Sequence, residues 1–408
     1  MSAIDRRTLL KLATAAALTG CGQLPASTRG PKVVVAGAGI IGASIAYHLS
    51  MAGASVTVID KTGPATHASR GTFAWINASW AKQPRHYHHF SQQGVSNWHG
   101  LDKNLSLNVR WCGSLEWFTT VAEQNKLVGL IEEQKAWGEP ARIIDSAELK
   151  DLESGLVFDQ EFAAYSPNDG AVDPVLATQK LLSEAQRLGA EVIYPSELIG
   201  TEAEGSRLVS VQTTTGRIKT DKLVLATGAA PNAAIRFAGL DIPQRSKPGV
   251  IVITKPMPPL INRIVVAPGV HMHQRFDGRV VLGEQSGAPD TQAHADRLAA
   301  RPNEFPSRAL AQQHATRLFA IARKFVPAMK SAEFEAAFIG WRPLPVDGHP
   351  VLGASPAQQD IYFAIMHSGV SLAPIVGQLA TQELMQGGAV DVLGPYRPGR
   401  HFETVKRY

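Results

Sequence analysis

The residues best placed to do chemistry begin with three glycines. Gly37, Gly39 and Gly42 form a Gly-x-Gly-x-x-Gly loop, and Asp60 follows 18 residues after the last of them. In such a loop the first glycine allows a tight turn and the second lets backbone approach a pyrophosphate. The third lets a helix pack closely on a strand. The helix start offers N–H groups and a positive dipole end to phosphates. A carboxylate at the place of Asp60 accepts hydrogen bonds from a ribose hydroxyl. Arg342 is the second informative group. It follows the apolar stretch 336–341 and precedes Pro343. A guanidinium in such company needs an anionic partner, and its planar fork suits a bidentate grip on a carboxylate. That partner is a substrate carboxylate or a protein acid such as Asp347. His271 and His273 stand two apart and share one face of a strand. His86, His88 and His89 form a further group, but no nearby acid or cysteine completes a ligand set, so no metal is expected.

These groups need elements to position them. Lys32–Ala36 is a short β-branched run suited to a buried parallel strand. A helical pattern over Ala43–Ala52 closes at Gly53, and Ser55–Ile59 makes a second strand that ends at Asp60. Asp173-Pro174 starts a helix over Val175–Leu188, whose apolar positions mark one buried face. A strand is expected over Glu191–Ile199, with a return strand over Lys222–Ala226. Val250–Thr254, Val265–Ala267, Val270–Gln274 and Arg279–Gly283 read as strands of one sheet, and Asp277-Gly278 is a hairpin turn. A helix from Ser307 to Phe325 should pack on that sheet. Ser368-Gly369-Val370 precedes an apolar helix over Leu372–Met385, a second helix N-terminus with a positive end.

Four blocks of the chain resemble the D-amino-acid oxidase, glycine oxidase and sarcosine oxidase family of FAD-dependent oxidoreductases. The first is the glycine loop with Asp60 and the Ala68-Ser69 pair behind it. The second is Gly170–Pro174 and its helix, and the third is Leu223–Ala229. The fourth is Gly340–Pro343 with Asp347-Gly348 and His367–Pro374. The resemblance implies FAD as cofactor, held by Gly37, Gly39, Gly42, Asp60, Lys61, Ala68, Ser69, Leu198, Thr227 and Gly228. His367, Ser368, Gly369, Val370 and Ser371 would lie at the flavin's N1 and C2 carbonyl, and Leu198 at the adenine. Leu198 also reads as a plain core leucine. Arg342 would clamp the substrate carboxylate. In glycine oxidase a Tyr that helps hold the carboxylate falls near 271, and here that position is His271. Sarcosine oxidases place an oxygen-activating Lys near 281, and here it is Val281.

The implied fold is α/β plus α+β: a discontinuous Rossmann-like FAD-binding domain with a mixed-sheet substrate domain. Residues 31–80, 165–235 and 336–395 would form the first, and 81–164 and 236–335 the second. Residues 396–408 would be a basic tail. The implied reaction is hydride transfer from the α-carbon of a D-amino acid, glycine or N-methyl amino acid to flavin N5, with the imine then hydrolysed. Oxygen or a quinone would take the electrons. The alternatives are a membrane-tethered dehydrogenase of a 2-hydroxy acid or other carboxylate, and a non-catalytic FAD-binding lipoprotein.

Composition bounds the rest. The 408 residues suggest two or three domains, and 44% hydrophobic with 18% charged residues fits a globular chain. A net charge of +5 without a long basic run gives no case for nucleic-acid binding. Two cysteines, Cys21 and Cys112, exclude a disulfide framework and a four-cysteine zinc site. Residues 1–21 read as an export signal: Arg6-Arg7 before a short apolar stretch resembles a twin-arginine leader, and Leu18–Cys21 resembles a lipobox. Residues 22–31 read as a tether. The expected product is an exported, periplasmic protein whose membrane contact is a lipid anchor on Cys21.

Overall fold

The computed structural model describes residues 30–79, 82–230, 232–245, 247–284 and 302–405. The leader, Cys21 and most of the tether lie outside these residues. Two large sheets organise the chain. The first has six strands in the order Val351–Ala354, Ile361–Ile365, Lys222–Leu225, Lys32–Ala36, Ser55–Ile59, Glu191–Ile193. All neighbours are parallel except the edge pair Val351–Ala354 with Ile361–Ile365. The β-branched runs fit this arrangement because both faces are covered. Val33 and Val35 point into a core shared with the helices Ile40–Met51, Arg85–Leu105, Pro174–Arg187 and Gly369–Gln386. Val34 and Ala36 point into a second core, formed with Leu198, Leu208 and Val211 of a three-stranded antiparallel sheet and Ala234 and Ala238 of a short helix. This is a Rossmann-like layering.

The second sheet has eight strands in the order Phe334–Trp341, Pro248–Thr254, Val280–Gly283, Val270–Gln274, Ile264–Ala267, Ser114–Glu116, Phe162–Ser166, Arg142–Asp145. It is mixed, since Ile264–Ala267 runs parallel to Ser114–Glu116 while its other pairs are antiparallel. Alternation decides its faces. Val250 and Val252 pack beneath the helix Arg308–Phe325, with Ala315, Leu318 and Phe319. Ile251 and Ile253 turn the other way, to Phe73 and Val281. Ser307 caps that helix by accepting the N–H of Leu310. The whole is an α/β flavoenzyme fold of two units.

Several elements differ from expectation. The stretch 191–199 is two strands in two different sheets, because Tyr194-Pro195 breaks the run. Ala336–Trp341 belongs to the eight-stranded sheet along its whole length, so this part of the 336–395 segment lies outside the nucleotide unit. Helix Arg85–Leu105, which falls within the 81–164 segment assigned to the substrate domain, lays Tyr87, Phe90, Val95 and Trp98 against Gly369–Gln386 in the nucleotide unit's core. A Cβ on its Gly94 would come 2.5 Å from the carbonyl oxygen of Ser371, so the two helices nearly touch. The basic tail is not loose: Arg397 pairs with Glu383, and Arg400 grips Asp347 at 2.8 Å. Cys112 is half-buried, and burial pushes its thiol up to about 11.

Candidate active site

Between the two sheets lies a cavity of about 1250 Å³, larger than the roughly 300–1,000 Å³ that holds one drug-sized ligand. Gly37, Gly39, Asp60, Lys61, Ala68, Ser69, Leu198, Thr227 and Gly228 line it at one end. His271, Arg342, His367, Ser368, Gly369, Val370 and Ser371 line it elsewhere. Gly42 lies outside the lining: a Cβ there would overlap the carbonyl oxygen of Gly37, so its work is close packing of helix on strand.

The nucleotide end is built from backbone. Gly37 has φ +115°, and a Cβ on it would overlap the carbonyl oxygen of Ala226 in the neighbouring strand. Only glycine turns there without strain. Asp60 is more committed than a ribose contact alone requires. Its Oδ2 accepts the N–H of Ala38 at 2.8 Å, and its Oδ1 accepts those of Thr62 and Gly63, both at 2.9 Å. Oδ1 also accepts the Thr62 hydroxyl at 3.2 Å, so Asp60 shapes the loop mainly through Oδ1, while Oδ2, with one donor of the two it can take, keeps capacity for a further one. Ser69 Oγ accepts the N–H of Ile40 at 3.0 Å, which ties the Ala68-Ser69 turn to the helix start. Leu198 is buried, beside Ser196 and Glu197 on the cavity wall. Thr227 lines the cavity, and its Oγ1 is buried with no hydrogen-bond partner, an orphan polar atom beside the site. A glycine cradle, a ribose-ready acid and an orphan hydroxyl fit a dinucleotide.

The other end is built from the eight-stranded sheet. The Arg342 guanidinium lies over Gly249, whose added Cβ would sit 3.2 Å from Nη2 and 3.3 Å from Nε. Its backbone N–H donates to the carbonyl of Lys247 at 3.0 Å, which extends the strand pairing and fixes the base of the side chain. His271 is the direct cross-strand partner of Gly283, and a Cβ on that glycine would overlap its Nε2. Two polar side chains thus lie over two glycines. Phe73 stands edge-on to both His271 and His273, with ring centroids 4.3 and 4.8 Å away. His273 Nε2 is 3.0 Å from the carbonyl of Phe73, so the shared face of the two histidines is used to fix one phenyl ring. Burial, and after it the Arg342 charge, push His271 down to about 3. His367 is likewise held down at about 3 by burial, then by Arg342 and Lys82. Both imidazoles are neutral at pH 7.

Asp347, the protein acid weighed as a partner for Arg342, is held by Arg400 instead. The histidines of 85–89 are scattered: His86 reaches Tyr396 Oη at 2.9 Å, His88 is fully buried and His89 is exposed. Sequence reasoning missed Lys82, Lys247, Gly249 and Phe73 as lining residues. Gly249 had a readable signal, a glycine inside a strand pattern. Lys82 had none, for it lies in an aperiodic stretch.

The chain's likeness to known proteins agrees with this geometry. The model of the DAO family, described as FAD dependent oxidoreductase, matches residues 32–383. Glycine oxidase of Pseudomonas aeruginosa is 25% identical over 374 residues, covering 87% of this chain and 95% of that protein. An uncharacterized oxidoreductase of Bacillus subtilis is 27% identical over 391 residues, covering 90% and 98%. The chain spans about half the length of one longer relative, the bifunctional ThiO/ThiG protein of Nostoc sp.. Among solved structures, glycine oxidase of Geobacillus kaustophilus superposes with a TM-score of 0.81 at 23% identity, covering 92% of this chain and 100% of that one. The chain belongs to the DAO family of FAD-dependent oxidoreductases.

Proposed function

We propose that this FAD-dependent amine or amino-acid oxidoreductase takes as substrate a small amine bearing a carboxylate, with glycine, an N-methyl amino acid or a D-amino acid as the class. The observation that carries this reading is Arg342, laid over Gly249 on the cavity wall within reach of a neutral His271. The guanidinium fork binds the carboxylate in two hydrogen bonds, which fixes the substrate in position and in rotation. When bound, FAD supplies the hydride acceptor for the substrate α-C–H. His271 presents an uncharged ring nitrogen, which can accept a hydrogen bond from the substrate amine without adding a second positive charge beside Arg342. Phe73, Ile251 and Val266 line the cavity as one apolar group, and such a wall strengthens the Arg342–carboxylate attraction by excluding water. The amine leaves as an imine that water hydrolyses.

Glycine oxidase of Pseudomonas aeruginosa, by its name, acts on a substrate of this class, which supports the reading. Sarcosine oxidases place a lysine for oxygen near position 281, where this chain has Val281, so we propose a quinone rather than oxygen as electron acceptor. Arg6-Arg7 and the Leu18–Cys21 pattern support an exported protein tethered by lipid at Cys21. The test is anaerobic titration of the yellow holoprotein with glycine, N-methyl amino acids and D-amino acids. One of these should bleach the flavin in the wild type. Arg342→Met should need at least 30-fold more of it, the lower end of the roughly 2–5 kcal/mol lost when one partner of a desolvated charge pair is removed. Equal half-saturation in the two proteins would overturn the assignment of Arg342.

A further inference from the structure

Lys82 is a charged side chain in an unusual place. It is only 5% exposed, and it lines the cavity. Its Nζ donates to Ser368 Oγ at 3.0 Å, and Tyr87 Oη donates to the same oxygen at 3.2 Å. The Tyr87 ring centre is 5.8 Å from the ammonium. Ser368 sits in the left-handed region, φ +47°, at the start of the helix Gly369–Gln386, whose first turn contains no acidic residue. Two positive features of separate origin therefore meet at one end of the cavity: the helix N-terminus and a lysine from a segment 286 residues away in sequence. Two further ionisable groups of the cavity lining bear on this charge. Arg342 is a cation, and His367 is driven neutral by burial and by the charges of Arg342 and Lys82.

We infer that Lys82 sets the electron affinity of the bound FAD, by facing the N1 and C2-carbonyl edge of its pyrimidine ring. Two-electron reduction with one proton taken at N5 leaves a negative charge on that edge. An ammonium fixed on Ser368 stabilises the reduced form more than the oxidised one, so it raises the reduction potential. Lys82 is in this account a tuning residue for the cofactor. The inference rests on the flavin's pyrimidine end lying at Ser368–Ser371 and not on the identity of the substrate.

The test measures the midpoint potential of FAD-loaded protein, reduced anaerobically by dithionite against a reference dye, with no amine present. Its outcome is thus independent of the Arg342 reading. Lys82→Met should shift the two-electron equilibrium at least tenfold toward oxidised flavin, about 30 mV. Lys82→Arg, which keeps the charge, should stay within threefold of the wild type. A Lys82→Met protein that binds FAD in full and keeps the wild-type potential would overturn the inference. Should Lys82→Met not retain FAD, Ser368→Ala carries the same measurement. It keeps the ammonium but removes its anchor, and an unchanged equilibrium there would equally overturn the inference.

Discussion

Acidification should destabilise this protein steeply below pH 6.5. Four histidines are held neutral in the fold: His271, His273 and His367 are pushed down to about 3 and His88 to about 4, in each case first by burial. In the unfolded chain each titrates near 6.5. Their contribution to stability is complete above pH 6.5 and is lost as pH falls from there toward 3–4, because the unfolded chain takes up protons that the folded one refuses. Asp169 works in the opposite sense. Buried and accepting from Ser114, Ser79 and Trp75, it is raised by desolvation to about 7. Its contribution is present below about 3.8 and fades as pH rises through 7. At pH 5 four protons are bound on unfolding and one is released, a net uptake of three. At about 1.4 kcal/mol per proton per pH unit, these five groups together give about 4 kcal/mol per pH unit. Burial also raises Glu139 and Glu153, which pull the same way as Asp169, and lowers His48, His67, His86 and His314, which pull with the other histidines, so we expect a slope of that order. Against a total stability of roughly 5–15 kcal/mol, a fall from pH 6.5 to 5 removes a large share. Urea unfolding of FAD-saturated protein, followed by tryptophan fluorescence at pH 7.5, 6.5, 5.5 and 5, reads the slope directly. His273→Gln should reduce it by one proton. A stability that stays flat between pH 7 and 5 would refute the linkage argument.

Three further outcomes test the site's construction. Gly37→Ala combines a strained φ with overlap on Ala226; the purified variant should hold less than a tenth of the wild-type FAD, measured by absorbance after gel filtration. Gly283→Ala places a methyl group against His271 Nε2. It should cost about 1–3 kcal/mol in overpacking and raise the half-saturating amine concentration, whereas Ala at the exposed Gly100, inside a helix, should stabilise by up to about 1 kcal/mol and leave the amine concentration unchanged. Asp173 caps the helix Pro174–Arg187 through the N–H groups of Val175 and Leu176, and pairs with Arg275 of the facing sheet at 2.6 Å. Asp173→Asn keeps the cap and loses the charge, while Asp173→Ala loses both. Chemical denaturation should rank them wild type, Asn, Ala, with the last step about 1 kcal/mol.

The amino-acid sequence determined what is local. From Lys32 to Asp60 each signal lies within a few residues of the next. An apolar β-branched run, three glycines, an apolar helix and a second β-branched run end in an acid, so short-range sterics and hydrogen bonding suffice to build the nucleotide loop. The same holds for the Asp277-Gly278 hairpin and for the capped starts of Pro174–Arg187 and Arg308–Phe325. Tertiary structure decided the other end of the cavity. Sequence could say that Arg342 needs an anion, but only the fold gave Asp347 to Arg400 and laid the guanidinium over Gly249, from a strand paired in another part of the chain. It also sent helix Arg85–Leu105 to the nucleotide unit, because its apolar stripe is equally consistent with either core and the near contact of Gly94 with Ser371 selects one. Lys82 and Ser368 meet across 286 residues. A periodic pattern tells a segment which face to bury; it carries no information about which distant segment will cover that face, and the charge where Lys82 meets Ser368 is set by that choice.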